Sequence, residues 1–396
     1  MGGYQLDNSN RRELGVPWWA GLDDTHSIDM AGEARAGIAL GSAGGKDESV
    51  GGVDLHQIVV DYLDDESVSD YFFASSSSPA VCVKNDLVKA TDRVVQDSDI
   101  EAFLNMVLAK GIQAAIDRKD FSIMINGRRL RANLASRWQG LDLSLRLLPK
   151  RIKTLDELHL PSSLYKLMGL KQGLILVCGA TGSGKSTTMA SLIEHVNENY
   201  PKKIVTIEDP IEYLIHEKKA FVCQREITND EGFLAHLRGA MRQHPNIIMV
   251  GEMRDRDTTD TALQAAKTGH LVLSTLHTDS TVQTIKRISD MFSDDSKGNI
   301  KSSLSSVLRA VIVQRLIRGN DGNIHIAYEV CVVTRAIANC IREKEDKLQQ
   351  IPNMMMSSAA EGCVLLNKTL VDLISQHAIR LDEAKNYSYD PDSLEV

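Results

Sequence analysis

Residues 173–187 read Gly-Leu-Ile-Leu-Val-Cys-Gly-Ala-Thr-Gly-Ser-Gly-Lys-Ser-Thr, and this stretch decides the fold. The apolar run from Leu174 to Val177 predicts a buried parallel strand. Residues 179–186 then match G-x-x-x-x-G-K-[ST] at every fixed position, and a helix is predicted to follow. A chance glycine-rich turn would not require strand, loop and helix in this order. The stretch therefore predicts a phosphate-binding loop, in which backbone N–H groups and a helix N-terminus face phosphate oxygens.

The loop supplies most of the predicted nucleotide-binding residues. These are Gly179, Ala180, Thr181, Gly182, Ser183, Gly184, Lys185, Ser186 and Thr187. Lys185 is expected to reach the β- and γ-phosphates of ATP. Ser186 offers a hydroxyl to Mg²⁺, a hard cation that prefers oxygen ligands. ATP and Mg²⁺ are therefore the predicted ligands.

Three further predicted strands end in polar residues. Strand 203–207 runs into Glu208-Asp209-Pro210-Ile211-Glu212, strand 247–250 into Gly251-Glu252, and strand 271–276 into His277. Strands that alternate with helices in this way predict a parallel sheet covered on both faces. Ligands bind outside the carboxyl ends of such strands. We therefore expect the carboxylates and the histidine to meet Lys185 around one nucleotide.

The strand-end residues have candidate roles in that site. Glu252 is in the position of a carboxylate that holds Mg²⁺ directly or through water. The full set of candidate metal ligands is Ser186, Glu208, Asp209 and Glu252. His277 taken alone is more often a structural histidine, but beside the loop it becomes a candidate γ-phosphate sensor.

Residues 53–150 predict a small α+β domain. Helical spacing from Leu55 to Leu63 and from Ile100 to Leu108 predicts two amphipathic helices. Alternating runs on both sides of Asn126-Gly127 predict a hairpin. Arginines on or beside these strands either face solvent or bind phosphate oxygens; they are Arg129, Arg131, Arg137 and Arg146.

The remaining segments complete the predicted organisation. Residues 1–52 predict a flexible extension, in which Pro17-Trp18-Trp19 either docks on a partner or anchors locally. Residues 151–172 predict a polar linker that hinges two domains, and residues 173–298 the nucleotide-binding core. Residues 299–396 predict a helical subdomain. Its first helix is indicated by Leu304, Val307, Leu308, Val311, Ile312 and Leu316.

Composition narrows the class of protein. The chain has 396 residues and a net charge of −8, with basic residues spread along its length, so no nucleic-acid partner is expected. No apolar run approaches the roughly 20 residues that span a bilayer, and no signal peptide is apparent, which predicts a cytoplasmic protein. The six cysteines lack C-x-x-C spacing, so neither a zinc site nor a disulfide framework is expected.

Three motifs carry a family resemblance: Ile204-Val205-Thr206-Ile207-Glu208-Asp209-Pro210-Ile211-Glu212-Tyr213, Ile248-Met249-Val250-Gly251-Glu252-Met253-Arg254-Asp255 and Thr268-Gly269-His270-Leu271-Val272-Leu273-Ser274-Thr275-Leu276-His277-Thr278. They resemble the Asp box, the Walker B segment and the His box of the PilT family of type IV pilus motor ATPases, within the superfamily of secretion ATPases. Gln224-Arg225-Glu226 and the helix with Arg238 and Arg242 also fit. The similarity covers residues 53–390 and is strongest over 173–290.

The resemblance implies a homohexameric ring with a PAS-like N-terminal domain and a RecA-like ATPase domain in each subunit. By the family pattern, Glu212 activates the attacking water, Glu252 acts in the Walker B role and His277 responds to the γ-phosphate. The arginines that would contact nucleotide or a neighbouring subunit are Arg131, Arg146 and Arg225. The implied function is Mg²⁺-dependent ATP hydrolysis that drives pilus retraction and twitching motility. The implied partner is an inner-membrane platform protein, at whose cytoplasmic face the motor would lie.

Two features of the sequence bear on that function. The retraction-linked motif Ala-Ile-Arg-Asn-Leu-Ile-Arg-Glu is present as residues 336–343, with Ala338 and Cys340 as the only differences. The tetracysteine zinc module of many extension and type II secretion ATPases is absent from the sequence, which also favours retraction. The alternatives are an ATPase for type IV secretion, conjugation or pilus assembly, a nucleic-acid translocase, and a scaffold switched by ATP without turnover.

Overall fold

Two β-sheets organise the part of the chain that the structure describes. The computed structural model describes residues 52–65, 67–84, 86–227, 232–343 and 345–394. Except for Gly52, the predicted flexible extension with Pro17-Trp18-Trp19 lies outside these residues. Residues from Gly52 onward form one compact unit.

The first sheet belongs to the N-terminal α+β part. Its elements are α1 (Leu55–Tyr62), β1 (Val68–Ala74), β2 (Ala80–Val83), β3 (Asp86–Lys89), α2 (Asp97–Val107), α3 (Gly111–Arg118), β4 (Asp120–Ile125), β5 (Arg128–Arg137) and β6 (Gly140–Leu147). The six strands are antiparallel in the order β3-β2-β1-β6-β5-β4. Leu130, Ala132 and Leu134 of β5 are buried in the core that this sheet shares with α1 and α2. Because side chains alternate along a strand, Arg129 and Arg131 lie on the other face.

The second sheet carries the phosphate-binding loop. Its elements are α4 (Leu164–Leu167), β7 (Gly173–Cys178), α5 (Lys185–Asn199), β8 (Lys203–Glu208), β9 (Phe221–Glu226), α6 (Phe233–Met241), β10 (Ile247–Val250), α7 (Arg256–Lys267), β11 (Leu271–Leu276), α8 (Thr281–Asp290), α9 (Asp294–Val307), β12 (Leu308–Arg318) and β13 (Ile324–Val332). The order is β13-β12-β7-β11-β10-β8-β9. The strands are parallel except for β13, which pairs antiparallel with β12 at one edge. The predicted α/β class is confirmed.

The strand before the loop is buried on both faces, as a parallel sheet requires. Leu174 and Leu176 pack into a core built with α6 to α10 (Arg335–Arg342), while Ile175 and Val177 pack into a second core built with α5. Helices on both faces thus fix β7 in the centre of the domain. The loop at its carboxyl end is held by a rigid framework.

The prediction of a helix through Leu316 is wrong beyond Val307. Helix α9 ends there, and residues 308–318 form β12, which pairs with β7 on one side and β13 on the other. After β12 and β13, the C-terminal segment becomes helical again at α10. It continues with α11 (Ile351–Ser357), α12 (Leu366–Ser375) and α13 (Leu381–Lys385), and with short 3₁₀ helices at Glu345–Gln350, Ala359–Glu361 and Pro391–Ser393.

The segment predicted as a linker packs closely against the second sheet. Leu155, Leu160, Leu164 and Met168 are buried in the core that contains Ile175. The domain boundaries themselves stay predictions. Among the described residues, no helix combines the length and apolarity needed to cross a membrane.

Candidate active site

The phosphate-binding loop has the backbone conformation that its glycines allow. Gly184 is left-handed, with φ of 86°, and caps the N-terminus of α5, which begins at Lys185. The Lys185 Nζ donates hydrogen bonds to the carbonyl oxygens of Gly179, at 2.9 Å, and Ala180, at 2.8 Å. The lysine therefore lies folded over the loop, where phosphate oxygens would replace these carbonyl partners.

Gly179 cannot carry a side chain without disturbing the loop. Its φ is 142°, and a Cβ atom there would lie 2.5 Å from both the Gln314 carbonyl oxygen and the Ser183 Oγ. We expect Gly179→Ala to weaken ATP binding by about tenfold, since such strain costs on the order of 1–3 kcal/mol. Equilibrium binding of a fluorescent ATP analogue measures this. Gly298→Ala is the control, because nothing lies within 4 Å of a Cβ atom at that helical position; equal affinity in the two variants would contradict the prediction.

The segment after β8 is fastened to the neighbouring elements. The hydroxyls of Thr187 and Tyr213 lie 2.8 Å apart, which joins α5 to this segment. The Gln224 amide of β9 donates to Glu208 Oε1 at 3.1 Å and to the Tyr213 carbonyl at 2.8 Å. Burial raises the pKa of Glu208 to about 6, against the lowering effect of hydrogen bonds from Thr206 and Gln224. The segment that bears Glu212 is thus held at the carboxyl edge of the sheet.

Glu252 and His277 meet at the ends of β10 and β11. Their nearest atoms, Glu252 Oε1 and His277 Nε2, are 3.4 Å apart. The other Glu252 oxygen accepts a hydrogen bond of 2.7 Å from Arg254 Nε. The Thr275 hydroxyl donates to the Gly251 carbonyl at 2.5 Å and ties the two strand ends together. The predicted convergence of a carboxylate and a histidine is therefore present in the structure.

The charges at this edge of the sheet act on the pKa of Lys185. Burial lowers its pKa, and the charges of Cys178, Glu252 and Glu212 act in the opposite direction. Glu212 and Glu252 are thus near enough to Lys185 to act on its charge, and His277 lies beside Glu252. Each stays a candidate for its predicted role.

The three predicted arginines make other contacts in this structure. Arg131 and Arg146 are directly opposite each other in the β5–β6 register, and they pair with Asp120 and Asp70 respectively. Arg225 donates to the His236 carbonyl and, at 2.6 Å, to Gln243 Oε1. Their contact with nucleotide stays a prediction.

Arg129, which the sequence analysis lists only among the arginines of the first sheet, contacts the second sheet. Its Nη2 donates to Glu226 Oε2 at 2.5 Å and to the Ser122 hydroxyl at 2.9 Å. The sequence draws attention to each residue separately: alternation puts Arg129 on the face of β5 opposite its apolar residues, and Glu226 is part of the Gln224-Arg225-Glu226 motif. Neither feature predicts that the two residues contact each other.

The oxygen donors fit a Mg²⁺ ion that is bound mainly through nucleotide. Across the described residues, no three His, Cys, Asp or Glu side chains are grouped so that they could hold a metal ion. The Glu208 carboxylate is engaged by Thr206 and Gln224. Mg²⁺ commonly takes one or two protein oxygens with substrate phosphates and water. Ser186, Glu208, Asp209 and Glu252 carry such oxygens, and all four stay predicted ligands.

Comparison with known proteins decides the family. A family model described as Type II/IV secretion system protein matches residues 117–386, which is more than half of the chain. The chain belongs to this family. Within it, the curated relatives and solved structures place the chain in the PilT group of secretion ATPases.

Three matches illustrate how far the similarity of this PilT-family chain extends. A "Twitching motility protein" of Neisseria gonorrhoeae is 39% identical over 278 residues, which is 69% of this chain and 74% of that protein. The "Type IV pilus retractation ATPase PilT" of Pseudomonas aeruginosa is 34% identical over 335 residues, 83% of this chain and 96% of that protein. A crystal structure of the pilus retraction motor PilT with bound ADP has a TM-score of 0.79 and 38% identity, covering 86% of this chain and 99% of that one.

Proposed function

We propose that this PilT-family protein hydrolyses ATP to ADP and phosphate, and that the energy drives retraction of a type IV pilus. The observation that carries the proposal is that Lys185 lies folded over the phosphate-binding loop, while Glu252 and His277 approach to 3.4 Å at the ends of the neighbouring strands β10 and β11. A relative named as a pilus retraction ATPase and a related structure with bound ADP support it.

In the proposed reaction, the loop and Lys185 bind the phosphates and stabilise the charge that develops on the transferring group. Glu212 accepts a proton from the attacking water and orients it. His277, whose Nε2 lies 3.4 Å from Glu252 Oε1, responds to the γ-phosphate. Ser186, Glu208, Asp209 and Glu252 would hold Mg²⁺, which would neutralise charge on the phosphates. Arg131, Arg146 and Arg225 contact nucleotide within the subunit or across a subunit boundary.

The proposed motor is a homohexamer at the cytoplasmic face of the inner membrane. Its partner there is a platform protein of the pilus machinery. Retraction is favoured over extension because residues 336–343 keep the retraction-linked motif apart from Ala338 and Cys340. In α10, Ile337 and Ile341 of this motif are buried, while Arg342 donates to the Ser305 hydroxyl of α9 at 3.3 Å. The motif thus has one side packed on the ATPase core and another free to meet a partner.

Surface pili and twitching motility in a deletion strain test this function. We expect excess surface pili and no twitching, because assembled pili would no longer be withdrawn, and we expect the wild-type gene to restore motility. Pili are counted by electron microscopy of sheared fractions and whole cells. Absence of pili would indicate an assembly ATPase, and normal pili with a secretion defect would indicate a secretion ATPase; either result contradicts the proposal.

A further inference from the structure

A contact between the two sheets lies next to the segment that bears Glu212. Arg129 belongs to β5 of the first sheet, and Glu226 ends β9 at the edge of the second. The Arg129 side chain is only 13% exposed and the Glu226 side chain 28%. A charge-assisted hydrogen bond with this degree of burial is stronger and geometrically more constrained than an exposed surface pair.

The same Glu226 oxygen holds the backbone beside Glu212. Glu226 Oε2 accepts a hydrogen bond of 3.2 Å from the Ile211 N–H, in addition to the bond from Arg129. Ile211 is the residue before Glu212, and its side chain is buried. The position of the Glu226 carboxylate therefore fixes the backbone at the start of the Glu212 peptide.

Gln224 holds the other side of the same segment. Its amide nitrogen donates to the Tyr213 carbonyl at 2.8 Å, and its amide oxygen accepts from the Ile215 N–H at 2.8 Å. Two side chains of β9 thus bracket Glu212 from both directions. Gln224 belongs to the second sheet, as does β8, which precedes Glu212, whereas Arg129, the partner of Glu226, belongs to the first sheet.

We infer that the Arg129–Glu226 contact positions Glu212 for water activation, so that hydrolysis depends on the first sheet being docked at the edge of the second. This inference rests on the proposed role of Glu212. Arg129 and Glu226 are positioning residues: they act on Glu212 through the Ile211 peptide. The contact also gives a route by which movement of the N-terminal part of the chain would control the chemical step.

Steady-state phosphate release by the full chain tests the inference with Arg129→Gln, Glu226→Gln and the double variant. A small displacement of a catalytic group can cost up to about a hundredfold, so we expect each single change to lower kcat by about tenfold. KM for ATP should change by less than about twofold, because nucleotide contacts are retained. The double variant should be no slower than the slower single variant, since both changes remove one contact.

Matched variants distinguish a loss of Glu212 positioning from a general loss of folding or assembly. Arg93→Gln removes an exposed arginine between β3 and α2, away from β5, and should leave kcat unchanged. Arg129→Lys keeps a cation on a long side chain and should restore part of kcat. This variant also tests the contact if Arg129→Gln does not fold. Size-exclusion chromatography checks that all variants assemble like the wild type.

The outcomes distinguish this inference from the proposed function. Unchanged kcat in both single variants, a loss confined to KM, or losses that multiply in the double variant would overturn the inference. Glu212→Gln is assayed in parallel. If Glu212→Gln is inactive while Arg129→Gln and Glu226→Gln are normal, only the positioning role fails; if Glu212→Gln is fully active, the proposed role of Glu212 fails and the inference with it.

Discussion

Replacing Glu212 with Gln is expected to slow ATP hydrolysis by about a hundredfold or more, while ATP affinity stays within about twofold of wild type. The amide keeps the size of the side chain but cannot accept the proton of the attacking water. Binding should persist because the phosphate contacts come from the loop and Lys185. Phosphate release at saturating ATP and equilibrium binding of a fluorescent ATP analogue measure the two quantities separately.

Glu217→Gln is the matched control for this change. Glu217 is an exposed glutamate on the same segment between β8 and β9, so it undergoes the same chemical replacement outside the site. We expect it to turn over at the wild-type rate. Turnover of the Glu212 variant at a comparable rate would remove Glu212 from the reaction and leave Glu208 or Glu252 as the group that activates water.

The residues at the carboxyl edge of the second sheet can be predicted from sequence, because the apolar pattern of each strand and the general rule for parallel strands lead to the same site. Each of β8, β10 and β11 is a short apolar run bounded by polar residues, and parallel strands bring their carboxyl ends to one edge. That rule sufficed to place Glu252 and His277 together with no long-range information. The observed 3.4 Å approach of their side chains follows from the pairing of β10 with β11.

The sequence predicts a helix where strand β12 lies, because a strand buried on both faces lacks the alternation of polar and apolar residues that identifies a strand. It lies between β7 and β13 and is buried on both faces over Ala310 to Val313, so polar and apolar residues do not alternate. Leu304, Val307, Leu308 and Val311 happen to fit helical spacing, and helix α9 does run directly into the strand. A continuous apolar run of this kind cannot be assigned from periodicity alone.

The contact between Arg129 and Glu226 cannot be predicted from the sequence, for a different reason. The two residues are 97 positions apart and belong to different sheets. Alternation along β5 tells which face Arg129 occupies, but the partner of that face depends on how the two sheets pack. The same limit applied to residues 151–172, whose polar composition suggested a hinge although four apolar side chains there are buried.

Replacing Lys185 with Ala is expected to lower kcat/KM for ATP by about a hundredfold or more, with weakened binding contributing to the loss. The Lys185 ammonium is half-buried, and its two hydrogen bonds to loop carbonyls show that it lies over the phosphate cradle rather than in solvent. If this half-buried charge faces the phosphates as proposed, its removal eliminates charge-assisted hydrogen bonds both before and during phosphoryl transfer. This sets it apart from Glu212→Gln, which is expected to leave binding in place.

Isothermal titration with ATP and phosphate release over a range of ATP concentrations measure the Lys185 effect. Lys368→Ala, which removes an exposed lysine of α12, should bind and hydrolyse ATP like the wild type. If Lys185→Ala bound ATP normally and lost only kcat, the lysine would act in the transition state alone, and ground-state binding would come from the backbone of the loop. If it lost neither, the lysine would have no role in binding or hydrolysis, and its proposed role would be wrong.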